Sequence, residues 1–401
     1  MRGFKALFVL GLAAAFVTAC GGGGSNNDGP SGNWTISGRI TGSAVERVLM
    51  TLGGDGFAQT ETDTFGSYYF PPIPPGTYSV TPLLENVTFV PPNRIIQIID
   101  GDIPNVDFVS SGTPPSLDNT PPLDPVRLVF AHPLEGTNWL NTNDGALGNT
   151  LGTNNYYVRD VSLGWSAPQN PNIGSQTDIG QWYTWFVDTT VQGNGLPVNQ
   201  NITTALYTTN QQTASYTSIA DPGGTNDVIL IMASFLNSAV KSDNGQPATA
   251  LFGQTAASTA HTLPNCQEVY RQVLTYFKTQ PNKLFVVITA PPMVSSASLL
   301  TDAANARTLN DWLVNSWLTE GGWDRRNVAV FDFFNVLTDV DNHHWFQSGV
   351  ITHINFNGDD FSEYGQGGDS TPTQTGNLRG TAEFLDLLNI AYNRWQTWLT
   401  P

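Results

Sequence analysis

Leu128 to Leu140 (LVFAHPLEGTNWL) sets a continuous apolar run directly before a polar turn and a helical pattern. In α/β enzymes such a strand–turn–helix displays a nucleophile. Acyl transfer there needs a serine or cysteine, a histidine in reach to take its proton, and a carboxylate to orient the histidine. This turn holds His132, Pro133, Leu134 and Glu135, and none of these supplies a hydroxyl or thiol. Glu135 and His132 could still move a proton. Thr137, Ser234 or Ser370 could serve as a displaced nucleophile only by entering the site.

Three other groups have chemistry-bearing side chains. His343-His344 with His353 could ligate a metal, but the spacing fits no strong zinc pattern, so rim or structural histidines are expected. Asp359-Asp360-Phe361-Ser362-Glu363 lacks the EF-hand spacing and reads as a solvated acidic loop. Trp139, Trp165, Trp182 and Trp185 could stack on sugar rings, although tryptophan more often belongs to a core. No metal and no cofactor is expected.

The elements that must position these residues form two groups. Between Trp34 and Val109, short alternating runs are separated by glycine and proline turns. Trp34–Ile40, Val45–Leu52, Phe65–Phe70, Gly76–Pro82, Phe89–Pro92, Ile95–Ile99 and Val106–Val109 predict a small all-β sandwich over residues 34–110. Residues 111–125 are rich in proline and read as an extended linker. From 126 to 401 the pattern changes. Arg127–Ala131, Asp227–Met232, Lys283–Ile288 and Asn327–Asp332 are short runs of Val, Ile, Leu and Phe, as in strands buried on both faces. Helical stripes at Asn265–Lys278, Ala303–Leu318 and Thr381–Leu399 lie among them. Strands alternating with helices predict a flavodoxin-like α/β domain with a parallel sheet, whose ligands bind beyond the carboxyl ends of the strands.

The N-terminus carries Arg2 and Lys5, then the apolar Ala6–Val17, then Thr18-Ala19-Cys20, which reads as a secretory signal over residues 1–19. The sequence around Cys20 resembles a bacterial lipobox. The resemblance implies cleavage before Cys20, its acylation, and a membrane anchor in an exported, outer-membrane lipoprotein of the cell envelope. Residues 20–33 read as a flexible tether. The formal net charge is −17, which excludes nucleic acid as a natural partner. The chain has 2 cysteines, so with Cys20 acylated Cys266 has no thiol left to pair with.

FGSYYFPPIPPGTYSVTP and TFVPP resemble the carboxypeptidase-regulatory-like (prealbumin-like) modules of surface proteins, which implies a spacer or adhesive role. Residues 126–393 resemble the SGNH (GDSL-like) hydrolases, above all a branch opening His-His-Ser-x-Gly-x-Asn-Trp-Leu. Here that opening reads His132-Pro133-Leu134-Glu135-Gly136-Thr137-Asn138-Trp139-Leu140. Asn155–Trp165, Ala233-Ser234-Phe235-Leu236-Asn237-Ser238 and Gly368-Asp369-Ser370-Thr371-Pro372 follow in the family's order. The resemblance implies oxyanion and binding positions at Gly164 and Asn237, with His132, Glu135, Asn138 and Trp165 around them, and an orienting acid at Asp369. It places Leu134 where the serine belongs and Thr371 where the histidine belongs. Pro133 and Pro372 are the alternatives in shifted registers. Two of three triad members are missing, and losing one costs of order a millionfold in turnover. The expected function is therefore binding of a surface glycan or acylated polymer without ordinary serine-esterase activity. The rivals are an active esterase or deacetylase with a displaced nucleophile, and a structural or adhesive envelope protein.

Overall fold

The computed structural model describes residues 33–84, 86–114, 117–162, 177–323, 326–347, 349–356, 360–366 and 369–399. The signal, Cys20, the tether, Gly164 and Trp165 lie outside them. Among the described residues no helix is long and apolar enough to cross a membrane.

The first eight strands are β1 (Trp34–Gly42), β2 (Leu49–Gly54), β3 (Ala58–Glu61), β4 (Ser67–Ile73), β5 (Gly76–Leu83), β6 (Val87–Val90), β7 (Arg94–Ile98) and β8 (Phe108–Gly112). They form two sheets, β4-β1-β8-β6 and β3-β2-β5-β7. Alternating residues such as Ile36, Ile40, Met50, Leu52, Phe70 and Val80 fill the space between them. β1 and β8 run parallel and the other pairs antiparallel. Two expectations shift. Residues 45–48 are not strand, because Arg47 adopts a left-handed φ of 59°. β4 continues through Pro71 and Pro72, which a sheet tolerates because β4 is an edge strand.

The next five strands are β9 (Val126–Ala131), β10 (Tyr156–Val161), β11 (Val228–Met232), β12 (Leu284–Ile288) and β13 (Val328–Phe331). They make one parallel sheet in the order β10-β9-β11-β12-β13, the flavodoxin-like arrangement. Every residue of β11 and β12 is buried, as expected of strands covered on both faces. Nine helices are described: α1 (Leu134–Leu140), α2 (Leu147–Thr153), α3 (Ile179–Phe186), α4 (Val198–Thr208), α5 (Leu263–Lys278), α6 (Leu300–Trp312), α7 (Leu318–Glu320), α8 (Phe333–Thr338) and α9 (Gln374–Leu399).

One face of the sheet packs on Trp182, Trp185, Tyr270 and Trp317, the other on Trp139, Phe384 and Trp395. A helix was expected to run unbroken over Ala303–Leu318, but a π-helical turn at Leu313–Trp317 interrupts it. α9 starts seven residues before the expected Thr381. Its first turns contain Gly376 and Gly380, which hide the helical pattern. A Cβ on Gly380 would stand 2.4 Å from the Phe333 ring, so the glycine is a packing requirement.

Two hairpins complete the domain, β14–β15 (His343–Gln347, Val350–Ile354) and β16–β17 (Gly365–Gln366, Asp369–Pro372). Residues 117–125 have no regular structure and lie along α9. Asn389 Nδ2 donates to the Asn119 carbonyl at 3.0 Å, and Asn393 Nδ2 to those of Asp118 and Thr120, each at 3.0 Å. Asn119 Nδ2 in turn donates to Asp386 at 3.1 Å.

Candidate functional site

In a sheet of this order the crevice forms where strand order reverses, beside β9. The ends of β9 and β11 meet there. β9 delivers His132, which is fully buried with ring nitrogens 2.7 Å from the Pro133 carbonyl (Nδ1) and 3.2 Å from Asp160 Oδ2 (Nε2). Asp160 is itself sealed at the end of β10. It accepts from Ala214 N at 3.0 Å, from Tyr216 Oη at 2.8 Å and from the Thr213 hydroxyl. Burial would raise its pKa, but His132 and the two hydroxyls outweigh burial and hold it below the usual value. His132 is thus a tie between two strand ends. Gly136 makes room for it, since a Cβ there would lie 2.4 Å from His132 Cβ.

Leu134 is the first residue of α1 and is 58 % exposed, an apolar side chain at the position of display. Glu135 beside it is buried, and its Oε1 accepts from Phe235 N at 3.0 Å, which ties α1 to the loop after β11. Burial keeps the Glu135 carboxyl above its ordinary pKa despite that bond, and the charge of Asp369 adds to the rise. Asn138 is half-buried in α1, and its carbonyl accepts from Gly145 N at 3.2 Å.

Asn237 is buried in the 3₁₀ turn after β11. Its Oδ1 accepts from Ile179 N at 3.0 Å and its Nδ2 donates to Asp178 Oδ1 at 2.8 Å. Asp178 also accepts from Ala256 N at 3.0 Å and, at 3.4 Å, from the Ser234 hydroxyl. This acid at the start of α3 organises the loop, a role that sequence reasoning missed. His261 lies 3.0 Å from the Asn237 carbonyl through Nε2.

On the other rim, Asp369 is exposed and its Oδ1 accepts from Thr371 N at 3.0 Å and Thr371 Oγ1 at 3.1 Å. The acid therefore closes a local turn on Thr371. The Ser370 hydroxyl accepts from Val294 N at 3.2 Å. Thus Leu134, Glu135, Asp369 and the Asn237 loop share the carboxyl end of the sheet.

Trp139, Trp182 and Trp185 are wholly buried and belong to the core. Trp139 stacks on Phe333 with ring centres 4.4 Å apart. Asp360 does not sit in a solvated loop, because it pairs with Arg307 at 3.1 Å with both side chains largely buried. The histidines of the β14–β15 hairpin are held structurally. His344 Nδ1 accepts from Asp332 N at 2.7 Å, and His343 Nδ1 lies 2.9 Å from Glu383. Asp311, Asp332 and His353 bring potential ligand atoms within 4.8 Å of one another, the set best placed among the described residues to hold a metal. Asp332 is already occupied, by His353 on Oδ2 and by Thr289 and Asn335 N on Oδ1.

No family profile matches the chain, and no curated protein does. Among solved structures it is similar to a Corynascus thermopiles (Myceliophthora fergusii) carbohydrate esterase family 2 enzyme plus carbohydrate-binding domain. The identity is 10 % over 91 % of this chain and 94 % of that one, with a TM-score of 0.29. The assignment of architecture therefore rests on the strand order itself: a β-sandwich followed by a doubly wound α/β domain.

Proposed function

We propose that this chain is an exported cell-envelope protein with a degenerate SGNH-type domain. That domain binds a surface glycan or acylated polymer and does not turn over esters as a serine hydrolase. The observation that carries this reading is Leu134, exposed at the head of α1 where a nucleophile would be displayed. Asp369, bonded to Thr371, supports it from the other rim. The ligand class comes from the resemblance in motif order. In the same reading Cys20 carries the lipid anchor, and the sandwich spaces the α/β domain from an outer membrane.

The test is to treat the protein without its signal with a fluorophosphonate probe and p-nitrophenyl acetate, and to run it through gels containing envelope polysaccharides. No labelling, background hydrolysis and retarded migration are expected. Labelling of one Ser or Thr, such as Ser234, would establish a displaced nucleophile instead. Unretarded migration in every polysaccharide would leave a structural role.

A further inference from the structure

A cleft among the described residues lies away from that site, between the sandwich and the free edge of the parallel sheet. It encloses about 510 Å³, within the range of ligand sites, and domain interfaces are common places for them. Leu49, Leu83 and Leu84 line it from the sandwich, and Val314 and Leu387 from the flanking helices. Leu83 is 61 % exposed, so this apolar wall is left open.

The floor is β13, the last strand of the sheet. Its inward groups are accounted for. The Asn327 carbonyl accepts from Phe285 N at 2.9 Å and the Phe331 carbonyl from Thr289 N at 3.0 Å. A strand alternates with period two, so Val328 and Val330 direct their N–H and C=O groups outward. Among the described residues no strand pairs with that edge. Beside it Thr352, only 4 % exposed, lines the cleft with a hydroxyl that has no hydrogen-bond partner among the described residues. A buried hydroxyl without a partner is costly, and an unpaired sheet edge is a template for another backbone. Charge also distinguishes the cleft. Arg47, from the sandwich, is paired with Glu61 at 2.7 Å, but Arg394, on α9, is exposed and forms no ion pair among the described residues.

We propose that this cleft binds the extended, apolar C-terminal segment of another protein as an added strand on β13. The ladder from Val328 to Phe331 accommodates about four residues. The backbone of the segment meets the outward groups of Val328 and Val330. Its side chains occupy the leucine wall, Thr352 gains a partner, and Arg394 receives the terminal carboxylate. The free backbone valences favour a peptide over a lipid chain, which would leave them unpaired.

The test uses the whole secreted chain and a fluorescent peptide ending Val-Thr-Val-Val with a free carboxylate. Saturable binding is expected, with slowed amide exchange at Val328 and Val330. The same peptide with alternate backbone nitrogens methylated should bind about tenfold more weakly or worse. Arg394→Glu should weaken the acid peptide several-fold and leave its C-terminal amide unaffected. Arg394 is exposed, so the variant is expected to fold, and its melting curve checks that. Equal binding of the methylated peptide, unchanged exchange at Val328 and Val330, or displacement of the peptide by dodecanoate with no peptide-specific protection would each overturn the proposal. None of these readouts involves ester turnover or polysaccharide retention, so the two proposals stand or fall separately.

Discussion

Asp332 and His353 are joined by a 2.7 Å contact between Oδ2 and Nε2, and the backbone N–H of the same aspartate is received by His344 Nδ1. One residue at the end of β13 thus fixes both strands of the β14–β15 hairpin. The pair determines how the protein meets acid. Burial, reinforced by His353, lowers the His344 pKa from 6.5 to about 3, against the pull of Asp332. Burial would raise that of Asp332, but the bond and charge of His353, with Arg307, bring it from 3.8 to about 2. Both contributions are whole above the unfolded-state values and are lost as pH falls through the folded ones.

The first prediction is acid lability that begins with His344. Between pH 6.5 and about 5 its share of the loss is of order 2 kcal/mol. Asparagine can offer Oδ1 to the Asp332 N–H without titrating, so His344→Asn should flatten the fall of the melting temperature in that window. The further fall below pH 3.8, which belongs to Asp332, should persist. Parallel melting profiles of the two proteins down to pH 4 would refute this.

Glu135 behaves in the opposite sense. Its carboxyl is raised by burial, so its contribution is full below the ordinary carboxylate range and declines as pH rises through the folded value. Glu135→Gln keeps an acceptor for Phe235 N and removes the charge. The variant should be the more stable protein at neutral pH and indistinguishable near pH 3.5, as read from denaturant midpoints. A neutral-pH loss of stability would mean that the charge itself is needed.

Gly136→Ala separates helix propensity from packing. On an open helix the change gains up to about 1 kcal/mol. Here the new methyl would stand 2.4 Å from His132 Cβ, with no flexible end to move aside. A net destabilisation of about 2–4 kcal/mol is expected from urea unfolding. A neutral or stabilised variant would show that the β9 turn gives way easily.

Cys266 is buried and its thiol is pushed far up by desolvation. Maleimide labelling at pH 7 should therefore track global unfolding and accelerate in urea along the same curve as tryptophan fluorescence. Fast labelling without denaturant would reveal local opening of α5.

The parallel sheet was legible because its strands are buried on both faces and need no alternation, as in Val228–Met232 and Leu284–Ile288. β10 was not among the four expected strands, because polar residues, among them Arg159 and Asp160, interrupt its apolar run. The start of α9 was hidden by glycines that packing against Phe333 demands. At the candidate site Leu134, Glu135, Asn237 and Asp369 could be picked out from the chain as residues near the ends of strands. The use of Asp160 and Asp178 as anchors could not, because partners such as Thr213, Asn237 and Ala256 lie 53 or more residues away. The cleft beside β13 was equally invisible, since it forms only where residues far apart in the chain, such as Leu83, Val330 and Leu387, face one another.

The clasp between residues 117–125 and α9 has a mechanical meaning. Along the chain, tension passing from the sandwich to β9 runs through Asp118, Asn119 and Thr120, each bonded to an asparagine of the last helix. Those bonds are loaded one after another, so the strap would unzip at low force while the central strands stay unstressed. Under load the chain would then gain reach by paying out a short length of strap, with its α/β domain still folded.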